Sequence, residues 1–325
     1  MKKYPLLLRP VSKEIMWGGN ILKREYNKTA PFENIAESWE LTVRENEMCV
    51  IANGEYADMT LGEYIDADKA GILGTNIEKY DRFPLLIKFI DANDKLSIQV
   101  HPDNEYSLTN ENELGKTEMW YIMAAEAGAK LVYGLKDGCS LNEFRQAVAD
   151  GKTEEMLNFV DVHPGEVYFI PSGQVHAIGA GILIAEIQQN SNVTYRVYDY
   201  NRRQADGSLR QLHTEKALDV IKLRSTEEID EIRFALPDNA EGCELLCSCE
   251  YFTSRKYVTD ADSTAILYAD DKSFISLLVL DADSADISMD GTEYRIKKGE
   301  SYFIPAGAGN ISISGKAEVI ASVIN

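Results

Sequence analysis

The chain contains four histidines, His101, His163, His176 and His213. Imidazole is the side chain best suited to metal ligation and to proton transfer near neutrality. Two of the four sit in patterned positions. His101 closes the run Leu96-Ser-Ile-Gln-Val-His101. An alternating strand there puts Ser97, Gln99 and His101 on one face and turns Ile98 and Val100 into packing. His176 closes Gly165-Glu-Val-Tyr-Phe-Ile-Pro171-Ser-Gly173-Gln-Val-His176. Its glycines and proline set a tight turn, and the next strand aims the imidazole inward. His163, in His-Pro-Gly, reads as a surface turn residue, and His213, just ahead of a helical stretch, as local structure. Five cysteines are present, and Cys243, Cys247 and Cys249 lack the nearby second pair that a closed zinc site needs. They read as small buried thiols of a reduced compartment.

The elements that must position these groups are mostly short strands divided by Gly, Asp and Asn turns: 83–90, 97–101, 119–124, 130–133, 166–170, 182–187 and 274–280. Such regular spacing predicts a sandwich or barrel. Ser140-Leu-Asn-Glu143 is a capping box opening a helix that carries Leu141, Phe144 and Val148, with Met156 and Leu157 after a break at Gly151. A second helix is expected over 214–223. The acidic stretch 226–230 and the run 236–242 are the best candidate linker. The segment 165–176 recurs as Gly299-Glu-Ser-Tyr-Phe-Ile-Pro305-Ala-Gly307-Ala-Gly-Asn310, with Gly, Glu, Tyr-Phe-Ile-Pro and Gly in register and no gap. An internal repeat marks repeated architecture. The second copy has Asn310 in place of the histidine.

The pattern Gly-x5-Pro-x-Gly-x2-His resembles the second signature of the cupin superfamily, a small jelly-roll barrel. The fold expected is mainly β: two cupin-like jelly-roll β-barrels, with a few helices attached to the first. The division expected is 1–238 for a metal-binding domain and 239–325 for a copy without the metal site. Cupins supply His-x-His and a glutamate from their first signature. Here Gln99 stands where the first histidine would be, His101 follows, and Glu118 opens the strand Met119-Trp-Tyr-Ile-Met123. With His176 these offer two imidazoles, a carboxylate and an amide, leaving room for water or substrate oxygens as a catalytic zinc does. An amide is a weak ligand, so Gln99 either binds the metal or orients a water or the substrate.

A more specific resemblance covers residues 10–222 and extends more weakly to the C-terminus. Leu-Ser-Ile-Gln-Val-His-Pro-Asp, Gly115-Lys-Thr-Glu-Met-Trp-Tyr, Pro-Ser-Gly-Gln-Val-His-Ala-Ile-Gly and Asn190-Ser-Asn-Val-Thr-Tyr-Arg196-Val-Tyr-Asp are similar to type I mannose-6-phosphate isomerases, in their short bacterial form. So are Met16-Trp-Gly-Gly-Asn20 and Ile35-Ala-Glu-Ser-Trp-Glu40. The resemblance implies a zinc-dependent interconversion of mannose 6-phosphate and fructose 6-phosphate. It implies zinc ligands at Gln99, His101, Glu118 and His176, a catalytic arginine at Arg196, and further site residues at Lys116, Lys88 and Glu186. Where longer members have a lysine six positions beyond the arginine, this chain has Arg202.

That chemistry moves a proton between C2 and C1 through an enediolate, so negative charge develops on two oxygens. A metal acting as Lewis acid and the fixed charge of Arg196 would stabilise it. Lys116 and Glu186 are the rival bases, the lysine only if its surroundings depress its pKa. Ser97, Lys88 and Arg202 are the candidates for the phosphate, and Arg203 is a further one. Trp17 and Trp120 either line the sugar site or belong to the core. A different metal cupin enzyme and a sugar-sensing cupin are the competing readings. The cations at Lys88, Lys116 and Arg196 suit an anionic sugar better than oxygen chemistry, and the intact constellation argues against a sensor. The net charge of −20 excludes a nucleic-acid footprint. No apolar run approaches a membrane span, and a cytoplasmic location is expected. Attraction of an anionic substrate must then be local, from a few cations gathered at the site.

Overall fold

Strands form where the alternating segments predict them, and the chain is mainly β. The computed structural model describes residues 1–204 and 206–325. It divides into two compact units: Met1–Ile15, Asn20–Phe89 and Ile232–Asn325 make one, Met16–Gly19 and Ile90–Glu231 the other.

In the first unit a large antiparallel sheet runs Glu244–Ser248, Phe252–Thr259, Gly309–Ile324, Ile275–Met289, Ser301–Ile304, Leu6–Arg9 and Val50–Ile51. Alternate residues of these strands, among them Leu277, Val279, Ile287, Ile311, Ile313 and Val319, fill its apolar core. Leu6 and Leu7 lie opposite Phe303 and Tyr302. This pairing joins the N-terminal strand to the sheet of the C-terminal strands, in the unit that also takes in residues 20–89. The expected linker is also more ordered than its composition suggests. Thr226–Arg233 is a helix that buries Ile229, and Arg255 Nε donates to Asp238 at 3.0 Å.

The second unit holds a five-stranded sheet in the order Leu157–Asp161, Lys130–Leu135, His176–Ile178, Ile98–Val100 and Tyr195–Tyr198. Its other strands include Val167–Ile170, Glu118–Ala125 and Ile182–Gln189, paired in that order. One face of the five-stranded sheet is apolar. Ile98, Val100, Val132, Ala177 and Val197 pack against Phe144, Ala217, Leu218 and Val220. The last four come from the helices Leu141–Ala149 and Thr214–Val220. The first of these begins at the capping box read from sequence, with Ser140 accepting from the Glu143 N–H. Beyond Gly151 the chain makes a short 3-10 turn and enters a strand at Leu157 rather than resuming the helix. With helices covering one face, the opposite face is free to carry polar groups.

The repeat is real in backbone terms. Gly165 and Gly299 have φ of 92° and 86°, Gly173 and Gly307 of 89° and 66°. Strands Val167–Ile170 and Ser301–Ile304 occupy the same place in each copy. The copies part at the last residue: His176 is fully buried, whereas Asn310 is exposed.

Candidate metal centre

Strand register decides which side chains meet. His176 lies opposite Gln99, and Gln99 lies opposite Arg196. Directly opposed residues share a face, so these three project from the polar side of the five-stranded sheet. On the neighbouring strands Glu118 is opposite Gln188, and Trp120 is opposite Glu186. His101, Glu118 and His176, each 1% exposed or less, place one ligand atom apiece within 4.8 Å of one another.

Both imidazoles are oriented from behind. His101 Nδ1 is 2.8 Å from the Val193 carbonyl oxygen and His176 Nδ1 is 2.8 Å from that of Gln174. A carbonyl only accepts, so each Nδ1 carries the proton and each Nε2 turns a lone pair inward. His101 Nε2 is buried with no hydrogen-bond partner and lies 3.4 Å from Glu118 Oε1. His176 Nε2 lies 3.9 Å from Glu118 Oε2. Three metal-ligating acceptor groups thus converge on one buried spot, an arrangement that a cation completes. Burial, helped by Lys116, pushes the His101 imidazolium down to about 3. Burial also lowers His176. Burial by itself would raise the Glu118 carboxyl, but the Lys116 ammonium beside it holds it well below the usual carboxylate range. All three are therefore in the protonation state that a metal requires.

The turn of the repeat ties the ligand strands together. Gly173 donates its N–H to the His101 carbonyl at 2.8 Å, and its own carbonyl accepts from Lys222 N–H at 2.9 Å. Its φ of +89° and a Cβ position only 2.8 Å from the Val220 carbonyl oxygen explain why glycine occupies it.

Gln99 is beside the cluster, with Nε2 3.4 Å from His176 Nε2 and Oε1 3.4 Å from Ser97 Oγ. Lys116 Nζ is 2.6 Å from Glu118 Oε1. Arg196 is half-buried, and burial and the nearby Arg210 lower its pKa while Asp199 opposes them. Its backbone N–H donates to His213 Nδ1 at 3.3 Å, so His213 is more than the start of a helix. The Arg202 guanidinium is already engaged by the Asp199 carboxylate and the Lys95 carbonyl. Lys88 belongs to the first unit, where it is buried with Nζ 3.5 Å from Glu37 Oε2 and 5.4 Å from the Trp39 ring centre. His163 is an exposed turn residue paired with Glu166. The cysteines are free, and none joins the cluster.

The family model of the phosphomannose isomerase type I catalytic domain matches residues 6–145, and that of the mannose-6-phosphate isomerase cupin domain matches 243–324. Mannose-6-phosphate isomerase ManA of Bacillus subtilis is 37% identical, with 99% of each chain aligned. The chain belongs to the type I phosphomannose isomerase family. The mannose-6-phosphate isomerase of Streptococcus mutans is 36% identical over 99% of this chain and 98% of its own. The crystal structure of the mannose 6-phosphate isomerase from Bacillus subtilis superposes with a TM-score of 0.86 at 33% identity, covering 99% of both chains. A phosphomannose isomerase variant from Salmonella typhimurium superposes at 0.81 with 16% identity over 99% of both chains, which speaks for the shared fold. The mainly β fold with a cupin domain is thereby borne out, and among its described residues no helix is long and apolar enough to cross a membrane.

One contributor escaped the sequence reading, which left Trp120 between sugar wall and core. Its indole Nε1 is 3.1 Å from Glu118 Oε2 and 3.0 Å from Glu186 Oε2. The signal was present in the alternation, since Glu118 and Trp120 occupy successive positions on one face of a strand.

Proposed function

We propose that this chain interconverts mannose 6-phosphate and fructose 6-phosphate, with a zinc ion held by His101, Glu118 and His176 and with Gln99 as neighbour or fourth donor. The observation that carries this reading is the convergence of two backbone-anchored imidazoles and one ionised carboxylate within 4.8 Å, in a member of this family. Nitrogen and carboxylate donors with room for a further oxygen suit a catalytic zinc. When bound, the ion supplies Lewis-acid stabilisation of the negative charge that develops on the two oxygens of an enediolate.

The chain's own residues do the rest. Arg196, projecting from the same face as Gln99 and His176, offers a fixed positive charge to the same oxygens. Lys116, held against the ligand carboxylate at 2.6 Å, and Glu186, 3.0 Å from the Trp120 indole nitrogen, are the two candidates for the group that carries the proton between C1 and C2. Within the second unit Ser97 and Arg202 are the phosphate candidates, with the Arg202 guanidinium oriented by Asp199. The five free thiols fit a cytoplasmic setting.

The test is metal analysis of the purified protein combined with a coupled assay on mannose 6-phosphate. Isomerisation that is lost on chelation and restored by zinc supports the reading. No turnover after zinc is restored overturns it in favour of a sugar-sensing protein.

A further inference from the structure

Three groups of the centre meet on one side chain. Trp120 is 1% exposed and projects from the strand Glu118–Ala125. Its single N–H lies within hydrogen-bond distance of both Glu118 Oε2 and Glu186 Oε2. Its ring meets that of His176 edge-on, with centres 5.4 Å apart and planes at 76°. An indole has one donor and no acceptor, so this proton is divided between two carboxylates. The geometry has a consequence for Glu118. Oε2 is drawn toward the indole, and Oε1 is left facing His101 Nε2 and Lys116 Nζ, at 3.4 and 2.6 Å. The carboxylate is thereby turned so that Oε1 faces His101, while Oε2 lies between the indole and His176 Nε2, 3.9 Å away. The same N–H fixes the distance from that carboxylate to Glu186, since both Oε2 atoms lie on one nitrogen.

We infer that Trp120 is a positioning residue: its indole N–H orients the metal-binding carboxylate of Glu118 and holds Glu186 at a set separation from it. A phenyl ring in its place would fill much of the volume and hold neither. Groups that orient metal ligands from behind typically contribute 10- to 100-fold in metal affinity or activity. The inference rests on the proposed metal site, and its first readout requires no catalysis.

The test uses the full chain with Trp120→Phe, and with β-(3-benzothienyl)alanine at position 120, which keeps the indole shape and lacks the N–H. Zinc is the probe, and its affinity for the chelator-treated protein is measured by competition. The expected result is a folded protein with unchanged far-UV circular dichroism and about 10- to 100-fold weaker zinc binding for both replacements. At saturating zinc, kcat should fall by a similar factor with KM changed less than about threefold, because Glu186 has lost its fixed position. In the parent protein, the indole 15N–1H signal that disappears in Trp120→Phe should shift on adding zinc. Parent-like zinc affinity in the benzothienyl protein would show that ring volume alone matters and overturn the inference. So would an indole signal indifferent to zinc in a protein that binds it. Failure of the parent protein to bind zinc at all would instead strike the proposed metal site.

Discussion

Lys116 Nζ lies 2.6 Å from Glu118 Oε1, and both side chains are almost wholly buried. The pair is an ammonium against a carboxylate that also faces two imidazole lone pairs. In the metal-free protein Lys116 is the cation beside that carboxylate; with metal bound, the ion shares the task. Removing one partner of a buried pair costs about 3–5 kcal/mol when nothing replaces it. Lys116→Met should therefore destabilise the chelator-treated protein strongly and the zinc-loaded protein much less. Thermal unfolding with and without zinc checks this. The zinc-induced rise in Tm should be larger for the variant than for the parent, and equal rises would show that Lys116 does not balance the Glu118 charge.

His101→Ala and His176→Ala should each abolish tight metal binding and activity while leaving the chain folded. Each removes an inward Nε2, whereas the apolar packing of the same sheet lies on its other face, around Ile98, Val100 and Ala177. Metal content and far-UV circular dichroism on the same samples separate the two effects. A variant that retained full activity without metal would exclude a metal-assisted reaction.

Arg196→Ala should lower kcat by roughly 100-fold or more with zinc still bound, the scale seen when a charge-stabilising donor is removed. The guanidinium stands on the same face as the cluster, but the metal donors are other residues. Unchanged turnover would take Arg196 out of the mechanism.

Local and distant features were legible in the sequence to different degrees. His101 and His176 could be found because each ends an alternating strand, and the Ser140–Glu143 cap because its two residues are three apart. The repeat was visible because glycines with positive φ tolerate few substitutes. The pairing of Leu6 with Phe303 leaves no local trace, since each strand carries an ordinary alternating pattern whatever its neighbour. Residues 226–230 were read as linker from their acidity, but they open the helix Thr226–Arg233, which buries Ile229. Trp120 was ambiguous because an indole looks the same in sequence whether its N–H is idle or shared by two carboxylates.

Gly173 should be intolerant of any side chain. A Cβ there would lie 2.8 Å from the Val220 carbonyl oxygen, on a backbone with φ of +89°. Gly173→Ala should cost about 1–3 kcal/mol through strain, measured as a lower urea midpoint. It should also weaken zinc binding, because the Gly173 N–H bond to the His101 carbonyl is displaced with the turn. Loss of stability at unchanged metal affinity would show that the turn supports the fold and not the centre.

A pH prediction comes from Asp238. Hydrogen bonds from Arg255 outweigh partial burial and hold its carboxyl below the ordinary value of 3.8. A carboxyl depressed in the folded state binds protons more readily when unfolded. Its stabilising contribution is therefore complete above about pH 4–5 and is lost as pH falls through the folded value. Asp238→Asn should destabilise the protein by about 1–3 kcal/mol at pH 7, the range for hydrogen bonds to charged groups. The difference from the parent should shrink as pH drops below 3.8. Denaturant titrations at pH 7, 5 and 3.5 measure it. A gap that stayed constant down to the lowest pH would mean that the Asp238 charge contributes nothing and that only the shape of the side chain holds the segment before Glu244–Ser248 in place.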